Sequence, residues 1–158
     1  MDESRRSRTG KCVFCNGGPI IVQSNLQKTI SLSTMAAETI ALSSTALDVC
    51  GLRTMMQEIG HWQPYPTVLL EDNQATVLLA NSQATLSQRS KHLEIRDLKI
   101  RELVESGIID VIYCRTTQQV ADLMTKNLNS TAFPKFAAFI CGYASHNQVI
   151  MAILKDMR

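Results

Sequence analysis

The chain has 158 residues, 45% of them hydrophobic and 19% charged, which suits one domain with a core of ordinary globular composition. A net charge of +2 permits contact with nucleic acid without arguing for it. No run approaches the ~20 consecutive apolar residues of a membrane span and none reads as a secretory signal, so a soluble intracellular protein is expected.

Residues 1–10 are polar and basic and read as the end of a loop, and Arg5, Arg6, Arg8 and Lys11 crowd the N-terminus. Such a cluster can meet phosphates or form a solvated face. Strands are predicted over 11–15 and 19–23. The turn signal Asn16-Gly17-Gly18 joins them into an antiparallel hairpin, with Pro19 as the first residue of the second strand. The five cysteines are scattered and do not suggest a disulfide framework. Cys12 and Cys15 lie three apart, which in a strand sends them to opposite faces, so they are not expected to converge on a metal.

A long helix is predicted over 35–59, because Ala37, Ile40, Ala41, Leu47, Met55 and Ile59 follow three- and four-residue steps. Ser33 or Thr34 is its candidate N-cap and Gly60 its stop. Glu38 is placed in its first turn, where a carboxylate favours the helix dipole or joins a capping arrangement. Gly51 inside this helix implies close packing against a sheet.

Val68-Leu69-Leu70-Glu71-Asp72-Asn73-Gln74 then reads as a fully buried strand, opened by Pro66 and ending abruptly in acids and amides. Asp72 therefore stands at a strand-to-helix junction, where ligands and metals gather in α/β sheets. Alternatively, Asn73 caps the following helix, 74–80, and Asp72 simply favours its positive end. A polar loop is predicted over 81–89 and a charged helix over 91–105, stopped by Gly107; the basic residues Arg89, Lys91, His92, Arg96, Lys99 and Arg101 recur through this region. A strand over 108–113, a helix over 120–126 carrying Asp122, an apolar helix over 132–141 broken by Gly142, and a last amphipathic turn or two within 148–155 complete the chain.

This order can bring Glu38, Asp72 and Asp122 to one edge of a mixed sheet. Clustered carboxylates repel one another unless a divalent cation neutralises them, and oxygen donors of this kind suit Mg²⁺ or Mn²⁺. Two such ions would activate a water and stabilise the departing oxygen in phosphodiester hydrolysis.

Four stretches carry a resemblance. Ile30-Ser31-Leu32-Ser33-Thr34-Met35-Ala36-Ala37-Glu38-Thr39-Ile40-Ala41-Leu42, Glu71-Asp72-Asn73-Gln74, Ser90-Lys91-His92-Leu93-Glu94-Ile95-Arg96 and Val120-Ala121-Asp122-Leu123-Met124-Thr125-Lys126 closely resemble the ribonuclease H domain of copia-type retrotransposon polyproteins, in order and interval. The opening Arg5-Arg6-Ser7-Arg8-Thr9-Gly10 is similar to that family's entry into its second strand. The resemblance implies a ribonuclease H-like α/β fold, a mixed five-stranded sheet flanked by helices. With it come hydrolysis of RNA in RNA–DNA hybrids, two Mg²⁺ (or Mn²⁺) ions, and a reverse transcriptase portion in the parent polyprotein. The cell compartment implied is cytoplasm or nucleus, within a virus-like particle in an active element.

Carried over by position, Glu38, Asp72 and Asp122 match catalytic, metal-holding carboxylates of the family. Lys91 and His92 match its Lys-His pair and, with Arg5 and Arg6, are candidates for phosphate contact. Thr39 stands where the family has an aromatic and Met35 where it has an acid. The family's first catalytic aspartate lies upstream of the Arg5-Arg6-Ser7 stretch, so the first strand is expected to be missing from residues 1–128, with hydrolysis weak or lost. Residues 129–158 are expected to form a C-terminal helical extension. The alternative is a non-catalytic remnant that binds nucleic acid or a protein partner.

Overall fold

The computed structural model describes residues 6–28, 30–31, 33–82 and 95–142. It is a mixed α/β protein of two compact units, Met1–Ser31 with Cys114–Arg158, and Leu32–Tyr113.

In the first unit, strands β1 (Arg8–Cys15) and β2 (Gly18–Leu26) pair antiparallel, from Arg8 opposite Leu26 to Cys15 opposite Gly18. Asn16 and Gly17 both take positive φ, 46° and 86°, the torsions that let a tight hairpin follow the twist of its strands. The strands run further than their apolar residues alone suggest. The hairpin's open end is closed by Gln27, whose backbone N–H donates to the Ser7 carbonyl and whose side-chain Nε2 donates to Thr9 Oγ1 at 3.1 Å.

Residues 120–126, expected as an α-helix, form a short 3-10 helix, Val120–Met124. Its turns close at three-residue spacing, with Asp122 N–H on the Gln119 carbonyl and Thr125 N–H on the Asp122 carbonyl. Strand β1 passes flush against it: a Cβ on Gly10 would lie 2.6 Å from Thr125 Cγ2 and 2.8 Å from the Ala121 carbonyl oxygen. A helix follows at Ala132–Ile140, where the apolar helix was expected. Val120, Phe136 and Phe139 are buried together, with Cys12, Phe14, Leu123 and Leu128 packed around them. The Phe14 and Phe139 rings meet at 4.9 Å, tilted by 50°, a favoured aromatic arrangement.

In the second unit, helix α1 (Thr34–Glu58) is followed by strand β3 (Thr67–Glu71), α2 (Gln74–Asn81), α3 (Ile95–Glu105) and strand β4 (Ile109–Tyr113). β3 and β4 pair in parallel, Thr67 opposite Ile109 through Glu71 opposite Tyr113. Parallel neighbours need a crossover connection, and α2 and α3 lie in it. The core draws on Leu42, Ala46 and Val49 from α1, Leu69 from β3, Ala80 from α2, Ile100 and Leu103 from α3, and Ile109 and Val111 from β4.

Among the described residues the strands form two separate two-stranded sheets, β1 with β2 and β3 with β4, and not the mixed five-stranded sheet expected; three further expectations need correction. β3 is buried on one face only: Leu69 and Glu71 are buried while Val68 is half exposed, the two-residue alternation of a strand with one covered side. α1 buries Thr39, Leu42, Ser43, Ala46 and Val49, and leaves Leu47, Met55 and Ile59 exposed. Apolar residues are spread around this helix, so packing chose a face that includes two small hydroxyl side chains. Gly51 is exposed, and a Cβ there would meet nothing within 4 Å, so close packing does not explain it.

The expected ends hold. Ser33 caps α1 by accepting from the Ala36 N–H at 3.1 Å, and Gly60, at φ +83°, follows the helix C-cap. The loop 61–66 is tied back to α1 by Arg53, whose guanidinium donates to the Gln63 and Tyr65 carbonyls and to Thr67 Oγ1 at 2.8–2.9 Å. Among the described residues, no helix is long and apolar enough to cross a membrane.

Candidate functional site

The C-terminal end of β3 delivers three consecutive polar residues. Glu71 is the last residue of the strand, Asp72 follows, and Asn73 is the N-cap of α2, accepting from the Ala75 N–H at 2.8 Å and the Thr76 N–H at 3.4 Å through Oδ1. Alternation along β3 sends Glu71 to the same covered side as Leu69, and it is only 7% exposed.

Glu38 reaches the same place from α1. With Thr34 as the first helical residue, Glu38 is the fifth, beyond the first turn where a capping arrangement would need it. The expected place in the first turn, with the dipole or capping role that went with it, is therefore corrected. Its Oε2 instead accepts a hydrogen bond from the Asn73 side-chain amide. Carboxylate oxygens of Glu38, Glu71 and Asp72 all lie within 4.8 Å of one another. Asn73 caps the helix, as one of the alternatives weighed for the strand end has it, and Asp72 lies in a carboxylate cluster.

Glu71 is the member that residue-by-residue matching passed over. Its carboxyl is pushed up from 4.5 to about 7, first by burial and further by the nearby Glu38 and Asp72 charges, with backbone N–H groups of Asn73 and Asp72 pulling the other way. The Asn73 N–H donates to Glu71 Oε1 at 3.2 Å. The sequence did hold a signal: Leu69 and Glu71 are two apart on a strand, so a strand with one covered face buries both or neither.

Carboxylates gathered this closely repel one another when ionised, and a cation relieves that repulsion. The donors are all hard oxygens, with no thiolate or imidazole among them. That chemistry fits Mg²⁺ or Mn²⁺ and not a soft metal.

Asp122 belongs to the other unit. It is buried, and both its carboxylate oxygens lie 2.9 Å from Nζ of Lys126, four residues on and past the end of the 3-10 helix. Arg6 is exposed, whereas Arg5, Lys91 and His92 lie outside the described residues. Cys12 is partly buried against the apolar cluster of the first unit, and burial pushes its thiol up to about 11. It behaves there as a small hydrophobe.

No protein-family model and no solved structure matches the chain. Relatives are found among polyproteins of mobile elements. The chain is 36% identical over 124 residues, 78% of its length, to the retrovirus-related Pol polyprotein from transposon TNT 1-94 of Nicotiana tabacum. It is 34% identical over 135 residues, 85% of its length, to the retrovirus-related Pol polyprotein from transposon RE1 of Arabidopsis thaliana. Over 128 residues, 81% of its length, it is 27% identical to the transposon Ty1-DR5 Gag-Pol polyprotein of Saccharomyces cerevisiae. The aligned segment spans 9%, 9% and 7% of those three proteins.

Proposed function

Since the homologues of this chain are retrovirus-related Pol polyproteins of copia-type transposons, we propose that it is the ribonuclease H region of such a polyprotein. Its lineage activity would be divalent-cation-dependent hydrolysis of the RNA strand in RNA–DNA hybrids. The observation that carries this reading is the meeting of Glu38, from a helix, with Asp72, at a strand end, in a cluster of carboxylate oxygens within 4.8 Å. These are two of the positions that the sequence resemblance assigns to catalysis, and they are far apart along the chain.

Within this reading, Glu38 and Asp72 hold the cation and Glu71 lends it a third oxygen or a counter-charge. A bound Mg²⁺ or Mn²⁺ would supply an activated water and a stabilised leaving oxygen. The residues' own task is to present oxygens at fixed separation on rigid elements. Asp122 is assigned to the same chemistry by its motif. The hybrid would be gripped through its phosphates, with Arg5, Arg6, Lys91 and His92 as candidate contacts, so affinity should fall with salt and be nearly indifferent to sequence. The natural neighbour in the parent polyprotein is a reverse transcriptase portion.

The test is cleavage of an end-labelled RNA–DNA hybrid by the purified chain, with Mg²⁺ or with EDTA, beside Asp72→Asn, Glu38→Gln and Asp122→Asn. Mg²⁺-dependent cleavage that disappears in Asp72→Asn supports the reading. Cleavage that survives EDTA or that substitution refutes it, and a folded chain that binds hybrid but leaves it intact points to a non-catalytic nucleic-acid-binding module.

A further inference from the structure

Asn73 is bonded in three directions. Its Oδ1 accepts from the Ala75 and Thr76 N–H groups of α2, its backbone N–H donates to Glu71 Oε1, and its side-chain amide donates to Glu38 Oε2. We propose that Asn73 is a positioning residue for the cation site: it fixes the Glu38 carboxylate from α1 against the Glu71–Asp72 strand end. The inference rests on the reading of Glu38 and Asp72 as cation ligands and adds a residue to it.

The physical case begins with repulsion. Nothing in the covalent chain holds Glu38 beside the end of β3, and two neighbouring carboxylates favour its swinging away. A neutral amide has both kinds of polar end, and Asn73 uses both. Its oxygen is engaged by α2, which pins the side chain, so its nitrogen is aimed at Glu38 by a rigid helix start. One Glu38 oxygen is held by this amide, which restrains the carboxylate beside the Glu71–Asp72 strand end. Groups that orient ligands in this way are worth roughly 10–100-fold in metal affinity. An aspartate or serine at this position would cap α2 equally well, but neither offers a side-chain nitrogen to Glu38. The amide is the feature that capping alone does not require.

The capping and positioning roles separate in one experiment on the full chain. Mn²⁺ binding is measured by the loss of the free-ion EPR signal, and melting temperature by circular dichroism, for the wild-type protein, Asp72→Asn, Asn73→Ser and Asn73→Ala. Serine preserves an oxygen for α2 but, one bond shorter, draws its hydroxyl donor back from Glu38; alanine removes both. The expected result is a Mn²⁺ dissociation constant raised about tenfold or more in both Asn73 variants, with the melting temperature lowered only in Asn73→Ala. Wild-type affinity in Asn73→Ser, or weakening seen only where the melting temperature also drops, overturns the positioning role while the cation reading stands. A wild-type chain that takes up no Mn²⁺, or takes up as much as Asp72→Asn, overturns the cation reading itself and this inference with it.

Discussion

Glu71→Gln should make the metal-free protein more stable at pH 8 and leave it nearly unchanged at pH 4.5. Glu71 is 7% exposed, and its carboxyl stands at about 7 in the folded chain against an ordinary value of 4.5. Burial is the main cause, and the Glu38 and Asp72 charges add to it. Below pH 4.5 the group is protonated in both the folded and unfolded chain, and the folded state bears no penalty. Between pH 4.5 and 7 the unfolded chain releases its proton while the folded chain keeps it, so stability falls as pH rises. Above 7 the loss is complete. At about 1.4 kcal/mol per pKa unit, the rise from 4.5 to about 7 sets a ceiling of about 3 kcal/mol. Glutamine is neutral throughout and still offers an oxygen to the Asn73 N–H, so the variant escapes this slope. Urea unfolding in EDTA, followed by circular dichroism at pH 4.5 and pH 8, reads the difference between the two proteins at each pH. A gap that widens by about 2–3 kcal/mol toward pH 8 bears out the burial argument. A gap that changes by less than about 0.5 kcal/mol refutes it, and would mean that Glu71 is hydrated or that its neighbours move away.

Gly10→Ala should destabilise by about 1–3 kcal/mol, since the new methyl would press into Thr125, Ala121 and Met124, whereas Gly51→Ala, with nothing within 4 Å, should stabilise by up to about 1 kcal/mol through helix propensity. Paired urea titrations check both, and opposite signs are required. Phe139→Ala should cost about 3–5 kcal/mol by opening a cavity beside Phe14 and Phe136; a smaller loss with unchanged helix signal would show that the cluster closes around the gap. Ser33→Ala should cost about 1 kcal/mol through loss of the α1 cap, measured as a shift in the urea midpoint.

What could be read along the chain was local. Asn16-Gly17 announced a tight hairpin because those residue types accept positive φ, and Ser33 and Gly60 marked the ends of α1 because capping and left-handed termination act within a turn. The position of Asp72 at a strand's end followed from the apolar run before it, and four motifs pointed to transposon polyproteins, where the homologues are found. The face that α1 buries was not readable, because its apolar residues surround it and the choice depends on what lies opposite. The meeting of Glu38 with Glu71 and Asp72, the amide of Asn73 between them, and the raised Glu71 carboxyl were decided only in three dimensions. Torsional and capping preferences act between chain neighbours, whereas charge repulsion and desolvation act through space, and sequence separation says nothing about either until the chain has packed.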